Sequence, residues 1–390
     1  VIINIPSAPS QKGSLNKIRK TIMTNKERML LGLSNGQPDR IAWAPNFDWW
    51  LGINTRMGTI PDEYKGLSRD NIVRKVGAAI WARVGLIGSN GSPEVKVTSH
   101  NEDDKTYTTY ETPVGTVSTM HQTASEWTKA VFLKEHLIKR VEDLKVLRFM
   151  IENTTYYPAY DNFIKVEESV GDDGIVLDQG APSVPMIQLM KHHIGWVNGL
   201  YMLHDYPDEM EKTADLIAQN AVKIYELMAD SPAKVVESGD NLDERTFSPR
   251  LFERYGLPFY RQMSEILHKK DKIYKCHACG FVKHLLPMIK DSGLDAIEAF
   301  PTVPMNDLTI SEARQILDGR VSIMSGVPSV IMFRKVMKDK DFKDYIMRVL
   351  DDIQPGNGFI LAMADNVPAD ADFDRVAMIS QIVDDYYGFK

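Results

Sequence analysis

The chain has 390 residues, a formal net charge of -7, 43% hydrophobic residues and 25% charged residues, the balance of a globular protein with a large core. The mild acidity leaves no broad basic field for nucleic acid, and no apolar run approaches the roughly 20 residues of a membrane-spanning helix. The only two cysteines stand close together and make no disulfide framework, which points to a reducing cytoplasm.

In chain order, VIINIPSAPSQKGSLNKIRK reads as an extended arm over residues 1–23, suited to packing on a second subunit in a homodimer. It lacks the order and length of a secretory signal. TNKERMLLGL (24–33) predicts a capped helix, with Thr24 as N-cap and Glu27 completing a capping box. QPDR (37–40) is a turn, and IAWAPNF (41–47) is a short buried strand bounded by breakers. DNIVRKVGAAIWARV (70–84) alternates at helical period. Residues 94–122 place β-branched residues at period two between turn signals, which predicts a β-meander projecting from the main fold. Residues 134–151 and 160–170 are again helical.

From residue 172 a regular pattern sets in. Apolar runs GIVLD (174–178), AKVVES (233–238), KIYKCHA (272–278), DAIEAF (295–300), VSIMSG (321–326) and GFILAMAD (358–365) alternate with amphipathic stretches at 208–229, 249–269, 281–291, 311–318, 332–351 and 373–386. Near-continuous apolar strands separated by helices predict a parallel sheet covered on its outside. Six such strands plus the N-terminal one, with no linker, favour a single α/β domain over residues 24–390, a (β/α)8 TIM barrel carrying the meander as an insertion. An open doubly wound sheet is the alternative, but no G-x-G-x-x-G turn follows any strand.

A parallel barrel keeps its chemistry at the C-terminal ends of its strands. Polar residues that close an apolar run are therefore the candidates: Asn46 and Asp48, Asp178 and Gln179, Glu237 and Asp240, His277 and Cys279, Glu298, Ser325, and Asp365 with Asn366. KCHACG (275–280) contains both cysteines. His277 and Cys279, two apart on a strand, share a face and could clamp a metal, with zinc suited to nitrogen and sulfur donors. Cys276 and Cys279 also satisfy C-x-x-C by count, a redox spacing, and two inert core thiols remain a third reading. Glu298, inside the apolar run DAIEAF, is costly there unless paired or coordinated. It belongs to the next strand, within reach of a metal at His277 and Cys279.

These residues carry a resemblance. YKCHACGFVKHLLPMIKDSGLDAIEAF (274–300) resembles the H-x-C-G, helix, G-x-D-x-[IV]-x-x-E stretch of the uroporphyrinogen decarboxylase superfamily, and more narrowly its zinc-dependent corrinoid methyltransferase branch. VVESGDNLDERTFSPRLFERYGLPFYRQM, ERMLLGLSNGQPDRIAWAP and NGFILAMADNVPADADFDRVAMI are similar to other parts of that superfamily, so the likeness runs from about residue 24 to 388. The arginine-rich loop that serves the carboxylates of a porphyrinogen is absent; the corresponding place reads NFDWWLGI.

The resemblance implies a (β/α)8 barrel and a zinc ion held by His277, Cys279 and Glu298. The later cysteine of the branch is missing, since the closing strand reads LAMADN. Fewer thiolates leave a more Lewis-acidic metal, as in the O-demethylase methyltransferases. The function implied is methyl transfer from a methyl ether, a methoxylated aromatic, to the Co(I) corrinoid (cobalamin) of a partner protein. Glu237 and Asp365 are expected in catalysis, and Asn46, Asp48, Trp49 and Trp50 at the substrate. A cofactor-free decarboxylase or lyase on the same barrel, and a non-catalytic ligand-binding barrel, are the alternatives.

Overall fold

The computed structural model describes residues 22–389, so nearly all of the expected arm, residues 1–23, lies outside the described residues. Eight parallel strands form one sheet: β1 (Trp43–Ala44), β2 (Ile80–Val84), β3 (Gly174–Ala181), β4 (Val235–Ser238), β5 (Ile273–His277), β6 (Ala296–Glu298), β7 (Ser322–Pro328) and β8 (Phe359–Ala364). Neighbours run β1-β8-β7-β6-β5-β4-β3-β2. The Ala79 N–H donates to the Trp43 carbonyl at 2.7 Å, which joins the two ends of that order. The result is the expected barrel, with helices outside it.

Period-two alternation divides the apolar residues between two cores. One set, including Trp81, Leu177, Val235, Ile273, Ala296, Met324 and Ile360, fills the barrel interior. The larger set packs between strands and helices. Helix α1 (Asn25–Leu33) closes the N-terminal end of the barrel. Its Thr24–Glu27 capping box is present, and Met29 and Leu33 join the interior cluster. Gly32 lies so close to β8 that a Cβ would sit 2.7 Å from Ile360 Cγ1.

Three expectations need correction. Residues 70–84 are not one helix: the helix Arg69–Lys75 stops before Gly77, which takes φ 73°, and β2 follows. That strand is the eighth of the barrel. The excursion is larger than 94–122. It comprises a four-stranded antiparallel sheet (Lys96–Glu102, Lys105–Thr112, Gly115–Thr123, Val131–Glu135) and a separate pair, Ile87–Asn90 with Thr155–Pro158. The last strand of the four-stranded sheet, Val131–Glu135, takes the start of the helix expected over 134–151, leaving Leu144–Glu152 helical. Finally, the loops that follow β5 and β7 absorb most of 281–291 and the start of 332–351, where the helices are Leu286–Ile289 and Asp339–Asp352. Among the described residues no helix is long and apolar enough to cross a membrane.

The plug at the barrel floor gives a direct test. Leu33 is fully buried, so Leu33→Ala should cost about 2–5 kcal/mol, read from urea unfolding of the variant beside the parent chain.

Candidate functional site

The C-terminal mouth of the barrel contains a buried network of charges. On β5, Ile273, Lys275 and His277 face inward, while Tyr274 and Cys276 face the helices. Strand register sets Glu237 of β4 beside Lys275, and Glu298 of β6 beside His277. Lys275 is fully buried; its Nζ hydrogen-bonds Glu237 Oε2 and lies 3.7 Å from Glu298 Oε1. Arg83 of β2 reaches the same two carboxylates, Nε at 3.5 Å from Glu237 and Nη2 at 3.7 Å from Glu298. Both cations flank the Trp81 ring, Arg83 at 4.1 Å and Lys275 at 4.9 Å from its centroid. The Trp81 indole is fixed by its N–H to the Pro45 carbonyl at 3.2 Å.

His277 ends this network. Its Nδ1 is 2.5 Å from Glu298 Oε1. Burial would raise the Glu298 pKa, but Lys275, His277 and Arg83 hold it well below the usual carboxylate range. For His277, burial disfavours the charged ring, yet Glu298 and the nearby Cys279 sulfur outweigh it and push the pKa up to about 10. Cys279 is half-buried in the loop beyond β5. Half-buried Lys191 lies near it: burial lowers the lysine's pKa, and Asp240 and Cys279 oppose that shift.

Cys276 belongs to the other face. It is fully buried, 3.2 Å from the Tyr260 hydroxyl, and its thiol is pushed well up by burial and then by Asp240. A thiol so placed is inert, and its side chain points away from that of His277. Asp240, also fully buried, accepts from Tyr260 Oη and the Val184 N–H, each at 2.7 Å, and from Ser238. Asp178 accepts from the Leu86 N–H at 3.2 Å and the Gly180 N–H at 2.7 Å, and burial raises its pKa to about 6. These two carboxylates fasten loops at the mouth. His193, in the π-helical segment Leu189–Ile194, is pushed down to about 4 by burial.

Beside the charge network a cavity of about 350 Å3 opens between β2 and β3, lined by Asp48, Arg69, Trp81, Arg83 and Gln179 among others. A hollow of about 400 Å3 in the helical layer, beside Val303 and Tyr345, carries none of the network groups. Of the four residues expected at the substrate, Asp48 lines the mouth cavity and pairs with Arg69 at 2.8 Å. Trp49 is exposed on the helix that starts at Asp48. Asn46 is buried, its carbonyl accepting from the Val367 N–H at 2.8 Å. Trp50 is a correction: it stacks on Phe373 with ring centroids 3.7 Å apart, inside the core. Its apolar ring finds a better partner there than in the mouth. Glu237 is in the network. Asp365 stands exposed at the end of β8, at φ 89°, with Asn366 donating to it at 2.9 Å; among the described residues it makes no hydrogen bond or ion pair with His277 or Glu298.

Sequence reading missed Lys275, Arg83, Trp81 and Lys191. A lysine two places before His277, and an arginine inside IWARV, were the available signals.

His277 and Cys279 supply nitrogen and sulfur donors, and Glu298 behind the imidazole is the carboxylate–histidine arrangement of metal centres. That donor chemistry suits zinc. Among the described residues no three such side chains already stand arranged around a metal position, because Glu298 is turned to His277 and the two cations. It is the side chain that must turn, or act through His277.

The model of a family described as uroporphyrinogen decarboxylase (URO-D) matches residues 132–386. No curated protein matches the sequence. Among solved structures, a methyltransferase from Methanosarcina mazei aligns with TM-score 0.58 and 13% identity over 94% of this chain and 99% of that chain. At that identity the likeness speaks for the fold. A D-psicose 3-epimerase from Clostridium cellulolyticum H10 aligns at TM-score 0.34 and 9% identity, over 62% of this chain and 83% of that one; so weak a likeness carries no argument.

In the metal-free protein, His277 should titrate near pH 10. Glu298→Gln removes the carboxylate that holds the ring charged, so the pKa should fall to roughly 6.5 or below. Histidine NMR titration reads the difference.

Proposed function

Because the chain belongs to the uroporphyrinogen decarboxylase family, and because its mouth carries Cys279 near a His277 imidazole fixed by Glu298, we propose that it is a zinc-dependent methyltransferase. The methyl group moves from a methyl ether, a methoxylated aromatic, to the Co(I) corrinoid of a partner protein. The observation that carries this reading is the 2.5 Å contact of His277 Nδ1 with Glu298, which leaves Nε2 as the ligating nitrogen beside Cys279. The fold likeness to a methyltransferase supports it.

His277 and Cys279 would hold the metal, with Glu298 acting through the His277 imidazole. A zinc bound there supplies a Lewis acid for the oxygen that must leave as a phenolate. The chain's own residues do the rest. Glu298 fixes the imidazole tautomer, because Nδ1–H is committed to its carboxylate. Lys275 and Arg83 keep Glu298 ionised, so that it accepts rather than donates. Glu237 neutralises Lys275 in turn and holds it off His277. Trp81, pinned by the Pro45 carbonyl, lies under both cations and holds them in place at the edge of the cavity. When bound nearby, the partner's Co(I) corrinoid would supply the electron pair for the new bond to the methyl carbon, while the C–O pair would stay on the leaving oxygen.

One observation favours a second reading. Arg83 and Arg69 bring cations to the mouth cavity, as a cofactor-free decarboxylase would require. Metal dependence separates the two.

The pure protein should hold about one zinc per chain, and Cys279→Ala should lose most of it. Methyl transfer from a methoxylated aromatic to a Co(I) corrinoid should fall about 100-fold or more in Cys279→Ala, the loss of about 3 kcal/mol of leaving-group stabilisation. Metal analysis beside a cobalt-absorbance assay checks both. Transfer that survives chelation and Cys279→Ala unchanged would overturn the reading.

A further inference from the structure

We propose that a clasp between the loops that follow β4 and β5 positions Cys279, and that Gly280 is the residue on which the clasp closes. The metal role of Cys279 rests on the zinc reading above; the clasp itself rests on the hydrogen bonds and close contacts of the two loops.

β5 ends at His277, so strand alternation no longer fixes the direction of Cys279. Backbone hydrogen bonds on both sides of it take over. Before it, the Ala278 N–H donates to the Glu298 carbonyl of β6 at 3.0 Å. After it, the Gly280 N–H donates to the Leu242 carbonyl at 3.0 Å. The Leu242 N–H donates in turn to the His277 carbonyl at 3.3 Å, and the Glu244 N–H to the Phe281 carbonyl at 2.8 Å. One neighbour of the cysteine is thus tied to β6 and the other to the loop after β4. Leu242 and Val282, both fully buried, anchor the two loops in the core. At the outer end Glu244 accepts from the His284 N–H and meets His284 Nδ1, each at 2.8 Å, and Arg245 lies 3.9 Å from the centroid of the Phe281 ring. The Cys279 sulfur is held beside the His277 imidazole by this frame.

Gly280 shows how tightly the clasp is shut. A Cβ there would sit 2.3 Å from Asp243 Cβ and 2.6 Å from the Leu242 carbonyl oxygen. Its φ is not in the left-handed region, so the glycine is required for space and not for backbone conformation. The obstacle includes backbone, which cannot swing aside as a long side chain can, so even a methyl group must part the loops. Gly239, in the same loop as Leu242, is different: a Cβ there meets nothing within 4 Å. The two glycines therefore separate a close approach from an ordinary loop position.

Thiol labelling and metal affinity test this without a methyl donor. Cys276 is fully buried and Cys279 half-buried, so in the metal-free chain Cys279 is the thiol that reacts first with dithiobis(nitrobenzoate). Gly280→Ala should speed that labelling about 10-fold, because parted loops open the segment. It should weaken zinc binding about 10- to 100-fold, read by competition with a chromophoric chelator, and weaken the sulfur-to-cobalt charge-transfer band of the cobalt-loaded protein. Glu244→Ala, which opens only the outer end, should move labelling and affinity the same way by a smaller factor. Gly239→Ala should match the parent chain. The clasp is overturned if folded Gly280→Ala labels and binds zinc as the parent does, or if Gly239→Ala moves as far as Gly280→Ala. Should Gly280→Ala not fold, unchanged labelling and affinity in Glu244→Ala overturn it. Faster labelling in the clasp variants of a parent that holds no zinc keeps the clasp and sinks the metal reading. Zinc held through Cys279 with equal affinity in the parent and both clasp variants sinks the clasp and keeps the metal reading.

Discussion

Lys275 has no contact with water, and the mouth of the barrel is organised around that fact. An ammonium removed from water costs several kcal/mol unless opposite charges and hydrogen bonds repay it. Here the repayment comes from both neighbouring strands, Glu237 on β4 and Glu298 on β6. Parallel register fixes the pairing, because a slip of one residue would turn either glutamate into the helical layer. Arg83 closes the group from the far side, and Trp81 offers its π face to both cations. The network thus specifies strand register as well as charge.

The proposed chemistry follows from how this network ends. Its last acceptor, Glu298, binds His277, which ends β5 and is partly exposed. A carboxylate held ionised by two cations is a strong acceptor. It locks the imidazole and leaves the other ring nitrogen for a ligand. Cys279 sits in the loop just beyond the strand, where the backbone is free to set its direction. Behind the wall, Cys276 joins Tyr260 and Asp240 in a buried network that fastens Val184 and supports the loops from outside. The two thiols differ in setting because Cys276 faces outward on β5, whereas Cys279 lies in the loop beyond it.

Much of this was legible in the sequence. Seven of the eight strands appeared as apolar runs, because buried parallel strands are apolar on both faces. His277 with Glu298 could be read because a charged residue inside an apolar strand demands a partner. The eighth strand was hidden. IWARV contains an arginine and follows a helix with only Gly77 to mark the break, so helical period ran through it. Arg83 was lost with it. Lys275 stood in plain view inside KIYKCHA, but its partner Glu237 lies 38 residues earlier, and only strand register brings them together. Trp50 looked like a mouth residue because neighbouring Asp48 is one. A helix turn places Trp50 in the core, where Phe373, far along the chain, covers it. The size of the β excursion was underestimated because its last strand is followed directly by a turn and a helix.

The central claim is that β5 and β6 together supply a sulfur-bearing zinc centre. Zinc-edge X-ray absorption of the zinc-loaded protein tests it most directly. One sulfur scatterer at about 2.3 Å with nitrogen and oxygen at about 2.0–2.2 Å, the sulfur lost in Cys279→Ala, is the result the account requires. A zinc coordinated by light atoms alone, with a spectrum unchanged in Cys279→Ala, would contradict it.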